Sequence, residues 1–392
     1  MSLLKSRFIE LIGNIQNPKY QLVELNEICE FIKDGTHQTP IYTEDRVNGF
    51  KFLSSKDVTS QKINWSNIKY IPKELHEQLY AKLSPKRGDI LLAKNGTTGV
   101  AAVVDSDEIF DIYVSLALLR PKSGVNVSYL CSALNSEDLK RQFNSSLKGI
   151  GVPNLHLREI KKARIIFPPI DIQNKISSIT KQIDKSKFLL QQILEKLELL
   201  KKSRFIEMFG QCNKEELIGN VVSICRGASP RPISEYITKD SEGINWIKIG
   251  DVSDDSLYIT SAEEKITKEG ASKSRLVHKG DFILSNSMSF GRPYILGIDG
   301  CVHDGWLILS KFSETFNEIF LYYALKSDYV QNQFRMKVNG ATVKNLNSDL
   351  VKNTKIKVPP IEKQMEFSNF IEQIDKSKLI IQKALEDLVG KV

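Results

Sequence analysis

No two cysteines in this sequence stand two residues apart. The five that occur, Cys29, Cys131, Cys212, Cys225 and Cys301, are odd in number and widely spaced. They make neither a disulfide framework nor a zinc set, and reduced buried thiols are expected. The histidines are scattered, with no H-E-x-x-H and no clustered carboxylates, which argues against a metal centre. His303-Asp304 resembles a fragment of a catalytic dyad but reads better as a strand end turning at Gly305. There is no G-x-x-x-x-G-K-[ST] phosphate loop, so ATP-driven work is not expected of this chain. The opening MSLLKSRFIELIG carries charges where a secretion signal has an apolar core. No run approaches the ~18 apolar residues of a membrane span. A cytoplasmic protein is expected.

What is present is repetition. Residues 182–187 read QIDKSK, and so do residues 373–378. At the same offset Pro168-Pro169-Ile170 answers to Pro359-Pro360-Ile361, Gln173 to Gln364, and Asn154-Leu155 to Asn345-Leu346. KSRFIE opens the chain at 5–10, yet its second copy, at 202–207, closes the segment that begins at Pro168. The repeat is therefore circular and cut inside one unit, so the C-terminal segment should end where the N-terminal one begins. A chain of two similar halves suits a bipartite or two-fold partner. With 392 residues, two or three domains are expected. The net charge of +8 favours a polyanionic partner.

Residues 171–208 read as a long helix. Ile176, Ile183, Leu190 and Leu197 stand seven apart, with Ile179, Ser186, Ile193 and Leu200 three later. Phe367, Ile374, Ile381 and Leu388, with Phe370, Ser377 and Ala384, repeat that register. Each helix follows a Pro-Pro pair and spans about 45–57 Å at 1.5 Å per residue. The two seams should pack antiparallel. Between them lie two segments of similar pattern. Asp89–Ala93 and Gly99–Val104 read as a hairpin around Asn95-Gly96, and Asp281–Ser285 leads into its counterpart. One helix follows in each copy, then a glycine-bearing loop, an Asn (Asn154, Asn345) placed to cap a short helix, and a strand ending at Pro-Pro. The fold class is α+β: two pseudo-symmetric globules separated by a long antiparallel coiled-coil helix pair.

As a set, KSRFIEMFG at 202–210, FPPIDIQ at 167–173 with VPPIEKQ at 358–364, the twin QIDKSK helices and the Lys86–Leu91 and Lys279–Leu284 hairpins resemble the specificity subunits of type I restriction-modification systems. The resemblance covers the full length. It implies an N-terminal conserved helix (1–19), a first target-recognition domain (20–165), a central helical spacer (166–211), a second recognition domain (212–357) and a C-terminal conserved helix (358–392). It further implies that each recognition domain reads one half of a bipartite double-stranded DNA sequence. Two methyltransferase subunits would dock on the helices, and restriction subunits would join in systems that cleave. The chain itself would be non-catalytic and hold no cofactor. S-adenosylmethionine, and ATP and magnesium for restriction, would belong to the partners. The Pro-Pro segments lack the Asn and aromatic of an N-P-P-Y/F methyltransferase motif and read as strand stops. Two other readings remain: a protein–protein adaptor with two related globules, and a self-sufficient DNA modification enzyme.

Most hydrogen bonds to DNA go to its backbone, from cationic and small polar groups. The hairpin loop offers Lys94, Asn95, Thr97 and Thr98, and its counterpart Asn286, Ser287, Ser289 and Arg292. Lys33, Thr36 and His37 flank Gly35, and Arg226, Ser229 and Arg231 occupy the equivalent place in the second copy. Arg231 sits between two prolines on a stiff backbone, and Arg to guanine is the commonest specific contact. Lys148 and Lys344 are candidate phosphate contacts.

Overall fold

The computed structural model describes residues 3–96, 98–146, 154–252, 256–286, 290–339 and 345–389. The chain divides into two compact units. One comprises Met1–Gln191 with Gln382–Val392, the other Gln192–Ile381. The division falls within both long helices, Ile170–Phe209 and Ile361–Val389, rather than at their ends.

In the first unit, four strands form one antiparallel sheet in the order Ala101–Val103, Ile90–Ala93, Leu116–Pro121, Cys29–Asp34. Phe110–Ile112, Phe50–Leu53 and Lys69–Ile71 form a second sheet, whose first pair is parallel. Ile90–Ala93 is buried throughout because it lies between two cores. Ile90 and Leu92 enter the core with the helices, while Leu91 and Ala93 enter the other. The period of two that turns alternate side chains to opposite faces thus serves two apolar layers.

The second unit repeats this framework. Ser223–Arg226, Trp306–Ser310, Phe282–Ser285, Pro293–Leu296 and Tyr258–Ile259 form one sheet. A second sheet runs Ile237–Thr238, Glu264–Ile266, Ile244–Ile247, Gly300–Val302, Arg275–Val277. Phe282 and Leu284 face one core and Ile283 the other. The tight turns coincide as well. Gly88 and Gly280, at φ +90° and +94°, donate to Val104 and Leu296, and glycine suits that left-handed backbone.

The circular repeat is realised in the packing. In the first unit Phe8, Leu11 and Ile12, on helix Leu3–Ile12, pack with Ile176. In the second, Phe205, Met208 and Phe209, at the end of the long helix, pack with Phe367. These are the same positions of the two KSRFIE copies, so the opening helix does for one core what the end of the long helix does for the other. Within the second unit the two helices run antiparallel. Glu198 meets Lys378 at 2.7 Å, Lys201 meets Asp375 at 2.5 Å, and Phe209 lies beside Phe367.

A pair of buried glutamines fixes each helix start. Gln173 Nε2 donates to the Pro168 carbonyl at 2.8 Å, and its Oε1 accepts from the Asn126 amide at 2.9 Å. Gln364 makes the same bonds to Pro359 and Asn317, both at 2.8 Å. Asn126 and Asn317 in turn cap the next helix in their unit.

Three expectations are corrected. The single helix foreseen in each segment is two: Val127–Leu134 and Glu137–Ser146, then Glu318–Lys326 and Asp328–Asn339. Asn135 breaks the first by turning its amide onto Ala101 and Cys131, and Ser327 breaks the second with an extended backbone. The short helices Leu157–Lys162 and Ser348–Lys352 begin at His156 and Asn347, not at Asn154 and Asn345. Finally, the heptad seam is half right. Ile176 and Ile183 are buried, but Ser186, Ile193 and Leu200 are exposed, as is Ser377. Lys201 takes an inward place instead, its ammonium held by Asp375 and Glu198.

Candidate nucleic-acid interface

In both units the edge strand reaches a pinch where no side chain fits. A Cβ on Gly35 would stand 2.1 Å from the Ile112 carbonyl oxygen, and one on Gly227 would stand 2.3 Å from that of His303. The amides of Gly35 and Gly227 pair with Leu116 and Trp306, those of Thr36 and Ala228 with Ile112 and Val302. The hairpin loop enters at the same level. Lys94 and Asn286 donate their amides to Ser115 and Gly305 and accept from Leu155 and Leu346. Two loops are thus brought together at equivalent positions on a common backbone frame, and their side chains differ.

In the first unit Lys94 faces inward. Its side chain is 6% exposed and its ammonium lies 2.6 Å from Asp34. It braces the loop from within instead of projecting from it. His37 is exposed and stands 3.7 Å from the other Asp34 oxygen. Lys33 is exposed, with its ammonium over the Phe31 ring. Thr36 accepts from the Gln38 amide, Asn95 bridges to Asn154, and the Thr98 hydroxyl donates to the Lys94 carbonyl. A cavity of about 250 Å³ opens beside Gly35, Thr36, His37 and Asp111.

In the second unit the carboxylate sits on the other side of the pinch. Arg226 takes the place of Asp34, and Asp304 that of Val114. Arg226 Nε donates to the Asp304 carbonyl at 2.8 Å, and Arg231 Nη2 lies 3.3 Å from Asp304 Oδ2. The Ser229 hydroxyl donates to Oδ1 at 3.0 Å, and His303 Nε2 reaches the same oxygen at 3.1 Å. Asn286 is buried and donates its side-chain amide to the Asp304 carbonyl at 3.0 Å. Burial pushes the Asp304 carboxyl up. The Ser229 bond and the charges of His303, Arg226 and Arg231 outweigh it and hold the group below its usual range. Arg226 and Arg231 remain 62% and 80% exposed. A groove of about 920 Å³ runs beside Arg231, lined by Ser229, Trp246, Lys248 and His303 among others. Arg292 lies apart from this cluster, against Tyr294, Tyr322 and Gln331.

Thr97, Lys148, Ser287, Ser289 and Lys344 lie outside the described residues. Sequence reasoning passed over Asp34 and read Asp304, beside His303, only as a strand end; these are the two carboxylates that organise the loops. The alignment of Gly35 with Gly227 places Asp34 beside the pinch, and nothing in it points to Asp304. Among the described residues no group of three or more His, Cys, Asp or Glu could hold a metal ion, and no helix is long and apolar enough to cross a membrane.

Comparison with known proteins agrees with this architecture. Residues 17–199 and 215–389 each match the model of the type I restriction modification DNA specificity domain. The MjaX type I restriction enzyme specificity subunit by name, from Methanocaldococcus jannaschii, is 22% identical, covering 97% of this chain and 93% of that protein. The MjaVIII specificity subunit of the same organism is 20% identical over 98% of this chain and 92% of its own length. In fold, the chain resembles the HsdS subunit of Thermoanaerobacter tengcongensis, with a TM-score of 0.52 at 19% identity over 94% and 92% of the two chains. A chain from a structure of the assembly and conformational transition of a type I system gives a TM-score of 0.68 at 18% identity, over 95% of each chain.

Proposed function

Since the chain belongs to the type I restriction modification DNA specificity family and is a specificity subunit with two DNA specificity domains, we propose that each domain reads one half of a bipartite duplex sequence through the loops at its glycine pinch. One observation carries this reading. The two units share the main bonds of their frame, from Gln173 and Gln364 to Gly35 and Gly227, yet differ in every charged group the loops present. A common frame with divergent loops suits two different half-sites.

The helices suit a second task. Each unit exposes the same apolar pair just after its QIDKSK segment: Phe188 and Leu189 at 59% and 46%, Leu379 and Ile380 at 68% and 70%. Exposed apolar side chains in matched places mark matched docking points. Two copies of one methyltransferase subunit are the partner they fit, with restriction subunits joining in a system that cleaves. The chain is then a non-catalytic member of a DNA adenine methyltransferase or endonuclease complex in the cytoplasm. S-adenosylmethionine, ATP and magnesium would be held by its partners. The length of the two helices would set the spacing between half-sites.

The test is to map the methylated motif of a host carrying the chain with its methyltransferase subunit. Replacing residues 212–357 with the corresponding domain of a relative should change one half-site and leave the other intact. A change in both, from an assembled complex, would defeat the two-reader model. Duplex affinity should also fall about 10³–10⁵-fold between 50 and 200 mM salt if 6–10 phosphates are contacted. A flat response would favour a protein–protein adaptor.

A further inference from the structure

Arg226 and Arg231 are the two exposed guanidinium groups at the second pinch, and both are tied to Asp304. Each is tied by one edge only. Arg226 gives its Nε to the Asp304 main-chain carbonyl and keeps its Nη2 4.0 Å from Oδ2, beyond hydrogen-bond reach, on a side chain that is 62% exposed. Arg231 gives one Nη2 proton to Oδ2 and keeps its other donors. Pro230 and Pro232 restrict the backbone on either side of Arg231. Asp304 is itself fixed. Ser229 and His303 hold its Oδ1, its amide donates to Ser229 at 3.2 Å, and Asn286 holds its carbonyl. The cations are therefore oriented before any ligand arrives.

A phosphate contact needs positive charge and gains nothing from an adjoining carboxylate, which repels it. Reading a base edge is different. Two parallel N–H groups must meet the O6 and N7 acceptors of guanine, and a fork already held in place loses less conformational freedom on binding. We propose that Asp304 is a positioning residue that holds Arg226 and Arg231 as a guanine-reading pair in the second domain. Among the described residues the first domain has no such pair. Asp34 replaces Arg226, Val114 replaces Asp304, and the one cation drawn to Asp34 at short range, Lys94, is buried. Guanine recognition by this device belongs to one half-site alone. The inference rests on the reading of the chain as a DNA specificity subunit.

The experiment compares methylated motifs of the complete complex carrying the native chain, Arg226→Gln, Arg231→Gln, Arg231→Lys or Asp304→Asn. The Gln variants should lose discrimination at a G·C pair of the half-site assigned to residues 212–357, by roughly tenfold to a hundredfold. The other half-site should stay unchanged and report that the complex is folded. Arg231→Lys should also relax the motif, since it keeps the charge and loses the fork. Asp304→Asn should relax the same position and leave the salt dependence of binding as it was. Unchanged motifs in both Gln variants, with a salt slope lower by about one, would identify the arginines as phosphate contacts and overturn the inference. If a variant methylates nothing, its assembled complex is offered duplexes with and without that base pair. Equal affinities support the inference and a retained preference overturns it. A native complex that methylates no bipartite motif overturns instead the reading on which the inference rests.

Discussion

The pinch of the first unit and the pinch of the second are made of the same backbone and opposite chemistry. In the first, an acidic residue ends the edge strand and a buried lysine comes to it from the hairpin. In the second, an arginine ends the strand and the carboxylate comes from the turn before Trp306. Among the described residues of the two pinches, only the second leaves guanidinium groups at the surface. The difference teaches which parts of the fold are free to change. Backbone hydrogen bonds hold both loops, so the side chains at their tips carry little of the stability and can be exchanged for function.

If that division is right, the frame positions should be equally intolerant in both units. Gly35→Ala and Gly227→Ala each force a Cβ onto a carbonyl oxygen, and each should cost about 3 kcal/mol, a tightly overpacked site. Thermal unfolding of the two variants would measure this. A large loss in one unit and none in the other would show that the frames are not equivalent.

A smaller and also matched loss is expected at the glutamines. Gln173→Ala and Gln364→Ala each strand a half-buried main-chain amide and a proline carbonyl, for about 2 kcal/mol, and Gln364→Ala also frees the Thr315 carbonyl. Denaturant titration gives the comparison. Losses differing by more than a factor of two would mean that one helix start has a second support.

The smallest effect separates the units without altering them. Burial pushes the Cys29 and Cys131 thiols up to about 12, while Cys225 is exposed at the second pinch. A thiol reagent at pH 8 should therefore label the second unit first, and Cys29 and Cys131 only on unfolding. Labelling of Cys29 at the rate of Cys225 would show that the first core opens readily.

Much of this frame was legible in the sequence, because period and repetition reflect backbone geometry. Heptad spacing located both long helices, and Asn-Gly located the first hairpin. The seam positions Ser186, Ile193 and Leu200 were misjudged because apolar spacing cannot tell a face that packs inward from one left exposed. Ile193 and Leu200 are exposed while Lys201 is buried between carboxylates. The helix breaks at Asn135 and Ser327 depend on side-chain bonds and backbone turns that have no period. The loop residues were found by composition, and the organising role of Asp304 was not, since Arg226, Ser229 and Arg231 stand more than 70 positions from it.

The discontinuity of the first unit bears on the order of synthesis. Its segment Met1–Gln191 is made before the second unit, yet the helical stretch from Gln382 that belongs with it is made after. The second unit is one unbroken stretch, Gln192–Ile381. A nascent chain emerging from the ribosome can therefore complete its later half before its earlier one. The first globule must wait for that stretch until the second has been made, and a chain terminated before Gln382 lacks part of its own first unit.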